Sequence, residues 1–129
     1  MREILFRGKR TRGKHTGEWV TGDLWHHTDK ASIIYSNELD DKAWVSPETV
    51  GQFTGLTDKN GKKVFEHDIV RFDGGTFVVV FVDFRMGFCF KGLHGRGCVP
   101  GFAMAHWEQL EVIGNIHDNP ELLEGGAAQ

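Results

Sequence analysis

The sequence predicts a mainly β protein with a small barrel in its second half, on three observations. Seventeen glycines lie among clustered β-branched and aromatic residues, ten Phe and four Trp included, whereas the helix formers Ala and Leu are sparse. Strand-like runs in the second half are short, closely spaced and separated by tight-turn signals. Period-2 alternation recurs, most clearly where Phe84, Met86, Phe88 and Phe90 face inward and Arg85, Gly87, Cys89 and Lys91 outward.

The elements follow in chain order. Residues 2–7 alternate weakly and predict a first strand. A Gly-rich polar loop, GKRTRGKHTG, leads into EWVTGDLW, where Val20, Gly22 and Leu24 share a face opposite Trp19, Thr21 and Asp23. Two strands around a polar loop make a β-hairpin. Ile33 to Tyr35 can pair as a third strand, and SNELDDK reads as a polar connector. Ser46-Pro47-Glu48 reads as an N-cap, a Pro in the first helical position and an acid in the first turn, with room for one turn before Gly51. Asn60-Gly61 predicts a type I′ hairpin turn, which needs positive φ at both central residues. A strand is expected over Lys63 to Phe72, and Asp73-Gly74-Gly75 turns the chain. Thr76 to Val82, apolar on both faces, suits a strand covered on both sides. Residues 92–101 read as a Gly-rich loop, Trp107 to Ile116 carries a last strand, and Asn119-Pro120 opens a short helical turn.

At 129 residues the chain can bury a core without staples. Two cysteines, Cys89 and Cys98, are too few for a disulfide framework. No apolar run reaches the roughly 18 residues of a membrane span, and charges on both sides of the short apolar start argue against a signal peptide. These features lead us to expect a cytoplasmic protein without membrane contact. The net charge is −3 but uneven. Arg2, Arg7, Lys9, Arg10, Arg12 and Lys14 oppose only Glu3 in the first 14 residues, and no Lys or Arg follows Arg96.

Candidate sites are few. The best binding candidate is the basic loop with its flanking aromatics: Arg7, Lys9, Arg10, Arg12, Lys14, Trp19 and Trp25. Cations of this kind contact phosphates and indoles stack on bases, so nucleic acid is one possible partner. A solvated loop that discourages edge pairing is the plainer reading, and the acidic net charge argues against a dedicated nucleic-acid binder. Glu66 and Asp68 could serve a metal-dependent enzyme with nearby histidines, or accept backbone N–H bonds in a polar turn. Cys89, His94, Cys98 and His106 match no common zinc spacing. His26 and His27, near Asp29, are adjacent on a strand and point to opposite faces. With no nucleophile elbow, phosphate loop or zinc-protease motif, neither a catalytic residue, a metal ligand set nor a cofactor is expected.

ILFRGKR and GEWVTGDL at the start, VSPETVGQFTGL and DKNGKKVFEHDIV in the middle, and EVIGNIHDNPELL at the end resemble, in the same order, the pattern of the YopX-like proteins of bacteriophages and prophages. The resemblance spans Arg2 to Leu123, with little to match between Asp83 and Ala105. It implies an SH3-like barrel over 45–124, preceded by a small β-rich part over 1–44; the small and polar residues that follow predict a disordered tail, 125–129. It also implies a phage or prophage origin in a bacterial host, and no catalytic residues. A non-enzymatic accessory protein follows, acting on a protein partner or its own copies. One departure stands out: the family pattern reads Glu-Gly-Asp-Ile-Val where this chain has Glu66-His67-Asp68. Either the turn there does not need positive φ, or this protein strains it.

Overall fold

The computed structural model describes residues 4–28, 31–36, 41–72, 75–82, 87–92, 98–100 and 109–125. The chain is mainly β, with two antiparallel sheets and, among the described residues, one short α-helix. It divides into two compact units, Met1–Phe53 and Thr54–Gln129.

The first unit contains β1 (Phe6–Lys9), β2 (Trp19–Thr28), β3 (Ala31–Ser36), β4 (Asp41–Val45), a 3-10 turn (Pro47–Thr49) and the start of β5 (Gly51–Thr57). Its strands lie in the order β4-β3-β2-β1-β5. The expected hairpin forms, with Lys9 opposite Trp19 and Phe6 opposite Gly22. Its first strand is shifted toward the loop, because Phe6 and Arg7 also pair with Gln52 and Gly51 of β5. Alternation along β2 holds, and Val20, Ile34, Ala43 and Val45 form a buried core with Phe6, Leu24 and Val50 packed on it.

The strand β4 lies partly in the segment read as a connector. Its alternation is short: Ala43 and Val45 are buried while Lys42 is exposed. The end of β4 turns back on β1 through a bridge between Arg10 and Val45. Thr11 N–H donates to Trp44 O and Ser46 N–H to Lys9 O, both at 3.0 Å. This closeness requires Gly8, since a Cβ there would meet Val45 Cβ and Cγ2 at 3.0 Å. The cap expected of Ser46 is made differently. Its side chain makes no capping bond. Instead the Thr49 hydroxyl donates to Ser46 O at 2.7 Å and accepts Lys9 N–H at 2.9 Å.

The second unit holds the rest of β5, β6 (Lys63–Phe65), β7 (Asp68–Phe72), β8 (Gly75–Val82), β9 (Gly87–Gly92), β10 (Cys98–Pro100), β11 (Glu111–Asn115) and α1 (Glu121–Gly125). Five of these strands pair in the order β10-β9-β8-β7-β11, and no pairing of β10 with β11 occurs among the described residues. Val64, Val70, Phe77, Val79, Phe90 and Leu110 form the core.

Several expectations are corrected here. Asn60-Gly61 is not a type I′ turn, because only Gly61 has positive φ. Gly61 N–H donates to Asp58 O at 3.0 Å and Asp58 N–H to Lys62 O at 2.8 Å, a wider loop closed by a left-handed glycine. The run Lys63 to Phe72 is two strands broken at Glu66-His67. Phe77 to Val79 are buried, but Phe81 is 44% exposed, so β8 is covered on both sides only in its first part. Cys89 is buried, not outward. Cys98 lies in β10, opposite Lys91, not in a loop. Of the expected disordered tail, Gly125 ends α1 and 126–129 lie outside the described residues. Phe84, Arg85, Met86, His94, His106 and Trp107 also lie outside them.

Candidate functional site

Strand register places Arg7, Lys9, Trp19, Trp25 and Trp44 of the first unit on one face. Arg7 and Lys9 of β1 oppose Thr21 and Trp19 of β2. Trp25 of β2 aligns with Ile33, and Ile33 with Trp44 of β4. Side chains two apart on a strand, and those directly opposite across a pair, share a face. This face is therefore the reverse of the Val20, Ile34, Ala43 and Val45 core.

The cations on it lie against indole rings. Arg7 Cζ is 4.6 Å from the Trp19 ring centroid, and Lys9 Nζ is 5.4 Å from the same ring. Arg12 Cζ is 4.0 Å from the Trp44 ring. Such contacts contribute about 0.5–1 kcal/mol when exposed and more when dry. Arg7 is buried, Arg10 is half-buried and Lys14 is exposed. Trp25 is 51% exposed, an unusual share for an indole in a paired strand. The loop before β2 is bonded within itself: Thr16 Oγ1 donates to Gly13 O at 2.6 Å, and His15 Nδ1 lies 2.6 Å from Glu18 Oε2. Of the candidates read from sequence, Arg7, Lys9 and Trp19 meet in one stack, Arg12 joins Trp44, and Trp25 and Lys14 are presented to solvent. Trp44 was missed, although Ala43 and Val45 on either side of it carry the alternation that marks its face.

A second cluster sits in the second unit, at the turn between β6 and β7. His67 has φ 78°, the sole positive φ of a non-glycine among the described residues. The turn therefore does need the left-handed conformation, and histidine is strained there. The conformation is held by backbone bonds: His67 N–H donates to Val79 O at 2.8 Å, and Ile116 N–H to His67 O at 3.0 Å. Asp68 is buried, and its Oδ2 accepts Phe65 N–H at 2.7 Å, so this carboxylate builds the turn. A left-handed non-glycine costs roughly 1–2 kcal/mol. The His67 ring packs edge-on against His117, with centroids 5.2 Å apart. A contact of that type contributes about 0.5–1.5 kcal/mol between full aromatic rings, and no more for imidazoles, which does not comfortably offset the strain. Glu66 Oε2 lies 3.6 Å from His67 Nε2 on the other side of the ring. No spacing in the sequence pairs His67 with His117, fifty positions on.

Among the described residues no group of three His, Cys, Asp or Glu is placed to hold a metal ion. Pro100 is the partner of Cys89, and Cys98 is paired with Lys91. His26 and His27 lie in β2, and Asp29 is outside the described residues. No helix among the described residues is long and apolar enough to cross a membrane.

Two β-sheet units, one with a cationic and aromatic face and one with a strained histidine turn, define a mainly β chain. A family model described as YopX protein matches residues 5–124, and the chain belongs to the YopX family. No curated protein matches it.

Proposed function

We propose that this protein is a non-enzymatic accessory protein of a phage or prophage, working in the cytoplasm of the bacterial host by binding a protein partner. The SH3-like barrel implied for 45–124 belongs to the same proposal, with the second unit as its frame. The observation that carries the binding reading is Trp25, 51% exposed on the face that also presents the Arg12–Trp44 stack. Trp and Arg are the residue types that most often dominate protein interfaces, and truncating such an anchor commonly costs about 2 kcal/mol or more.

The nucleic-acid reading is weaker on this geometry. Trp19 already carries Arg7 and Lys9, and Trp44 carries Arg12, so cations occupy ring faces that bases would stack on. The metal-enzyme reading loses Asp68, whose carboxylate serves the turn backbone.

The test compares wild type with Trp25→Ala and Arg12→Glu. Light scattering gives the mass, which tells a second copy of this chain from another partner. A host protein captured by wild type, identified and titrated, should bind Trp25→Ala about 30-fold more weakly, the equivalent of 2 kcal/mol. Equal binding by wild type and both variants would remove this face from the account. Binding to DNA or RNA probes that falls steeply with salt, and is lost in Arg10→Glu with Arg12→Glu, would replace the protein partner by nucleic acid.

A further inference from the structure

The histidine pair belongs to the second unit, whereas the proposed binding face is built by residues of the first. His67 Nδ1 and His117 Nε2 are 3.5 Å apart. That is the long limit of a hydrogen bond between the rings, beyond the roughly 2.7–3.2 Å of ordinary N–H···O bonds. It is close to the separation of two imidazole nitrogens on one tetrahedral ion: bonds of about 2.0–2.1 Å place them about 3.3 Å apart. The other nitrogen of His67, Nε2, faces Glu66 Oε2 at 3.6 Å. That is an ion-pair distance, longer than a hydrogen bond; closed to hydrogen-bond distance, it would give the carboxylate support usual for a metal-binding histidine.

Both rings are carried on braced backbone. The His67 turn is held by its bonds to Val79 and Ile116. His117 sits in a turn built on Asn115, whose Oδ1 accepts His117 N–H at 3.0 Å and Asp118 N–H at 2.9 Å. The His67 side chain is 23% exposed and that of Glu66 25%, so solvent reaches the pair. A strained residue that the surrounding structure holds in place is a recognised mark of a functional position. Glycine would meet the backbone requirement here without strain.

We propose that His67 Nδ1 and His117 Nε2 form a two-histidine site for a divalent transition-metal ion, with Glu66 supporting His67 from behind. Imidazole ligands suit zinc, copper and nickel, and two protein ligands leave open positions for water or for a donor group from a partner. The ion would tie the β6–β7 turn to the segment that follows β11.

Titration calorimetry with Zn²⁺ alone tests this, on wild type, His67→Gly, His117→Ala and Glu66→Gln, each first checked for a cooperative melt. Wild type should take up zinc with a melting temperature that rises with zinc concentration. Loss of either histidine should weaken this site at least 30-fold, and Glu66→Gln should weaken it about 10-fold. His67→Gly retains the backbone conformation, so its loss of binding cannot be ascribed to unfolding. No zinc uptake by wild type up to millimolar concentration would overturn the proposal. So would wild-type affinity in both histidine variants, which would place the ion on other residues.

Discussion

Replacing Asp58 by alanine is expected to destabilise the protein by about 3–4 kcal/mol. Asp58 is 5% exposed. Its Oδ1 accepts Asn60 N–H and Lys62 N–H, both at 2.9 Å, and its Oδ2 accepts Val112 N–H at 3.0 Å. One carboxylate thus closes the loop between β5 and β6 and ties it to β11. Hydrogen bonds to a charged group contribute about 1.5–3 kcal/mol each, and the donors left behind carry a desolvation cost. The three do not add fully, because they share one group. Urea denaturation measures the change directly. Asp58 also predicts a pH dependence. Burial pushes its carboxyl up, but the bonds from Val112, Lys62 and Asn60, with the Lys62 charge, outweigh that and hold it below the ordinary aspartate value. A folded-state pKa below the unfolded one gives stability that is complete above about pH 4, the unfolded value, and is lost as pH falls through the folded value. Wild type should therefore lose more stability than Asp58→Ala between pH 7 and pH 3, and parallel profiles would refute the assignment.

Gly8→Ala is expected to cost about 2 kcal/mol, the usual range for overpacking a core being about 1–3 kcal/mol. The new methyl would meet Val45 Cβ and Cγ2 at 3.0 Å and Ile34 Cδ1 at 3.3 Å. Neither neighbour can withdraw, since Val45 is 1% exposed and Ile34 fully buried. The cause is a close approach of β4 to β1, so the cost should be partly relieved in Gly8→Ala with Val45→Ala, which removes Val45 Cγ2 but keeps its Cβ. A double-mutant cycle by denaturation should give a favourable coupling above 1 kcal/mol. Additive losses would mean that Gly8 is needed for some reason other than Val45.

The β class and the opening hairpin were legible because alternation there is long enough to register: Val20, Gly22 and Leu24 are all at least partly buried. The shift of β1 toward the loop was not, because Gly8 and Lys9 have poor strand propensity and are held by pairing with Val20 and Trp19 of β2. Strand β4 was hidden by the acidic run before it. The Asn60-Gly61 turn was correctly placed but wrongly typed, since Asp58 closes a wider loop that the dipeptide alone does not announce. Cys89 was assigned outward by alternation along β9, yet it is buried beside Phe90, because both faces of the strand are covered there. The cationic and aromatic residues of the first unit were legible as a set, but their stacking was not, because register across four strands decides which indole each cation meets. The departure at His67 was visible as a residue out of pattern; its partner His117 was not, because the contact arises only when the end of β11 packs on the turn.

On this account His67 occupies a left-handed backbone position for what its side chain does. Equilibrium denaturation of His67→Gly beside wild type, in chelator and again with zinc, tests this directly. In chelator the variant should be as stable as wild type or up to about 1 kcal/mol more stable, because relief of left-handed strain outweighs the lost ring contact. With zinc the order should reverse, as wild type gains stability and the variant does not. A variant less stable than wild type by more than about 1 kcal/mol in chelator, with zinc leaving both unchanged, would contradict the claim and make His67 an ordinary packing residue.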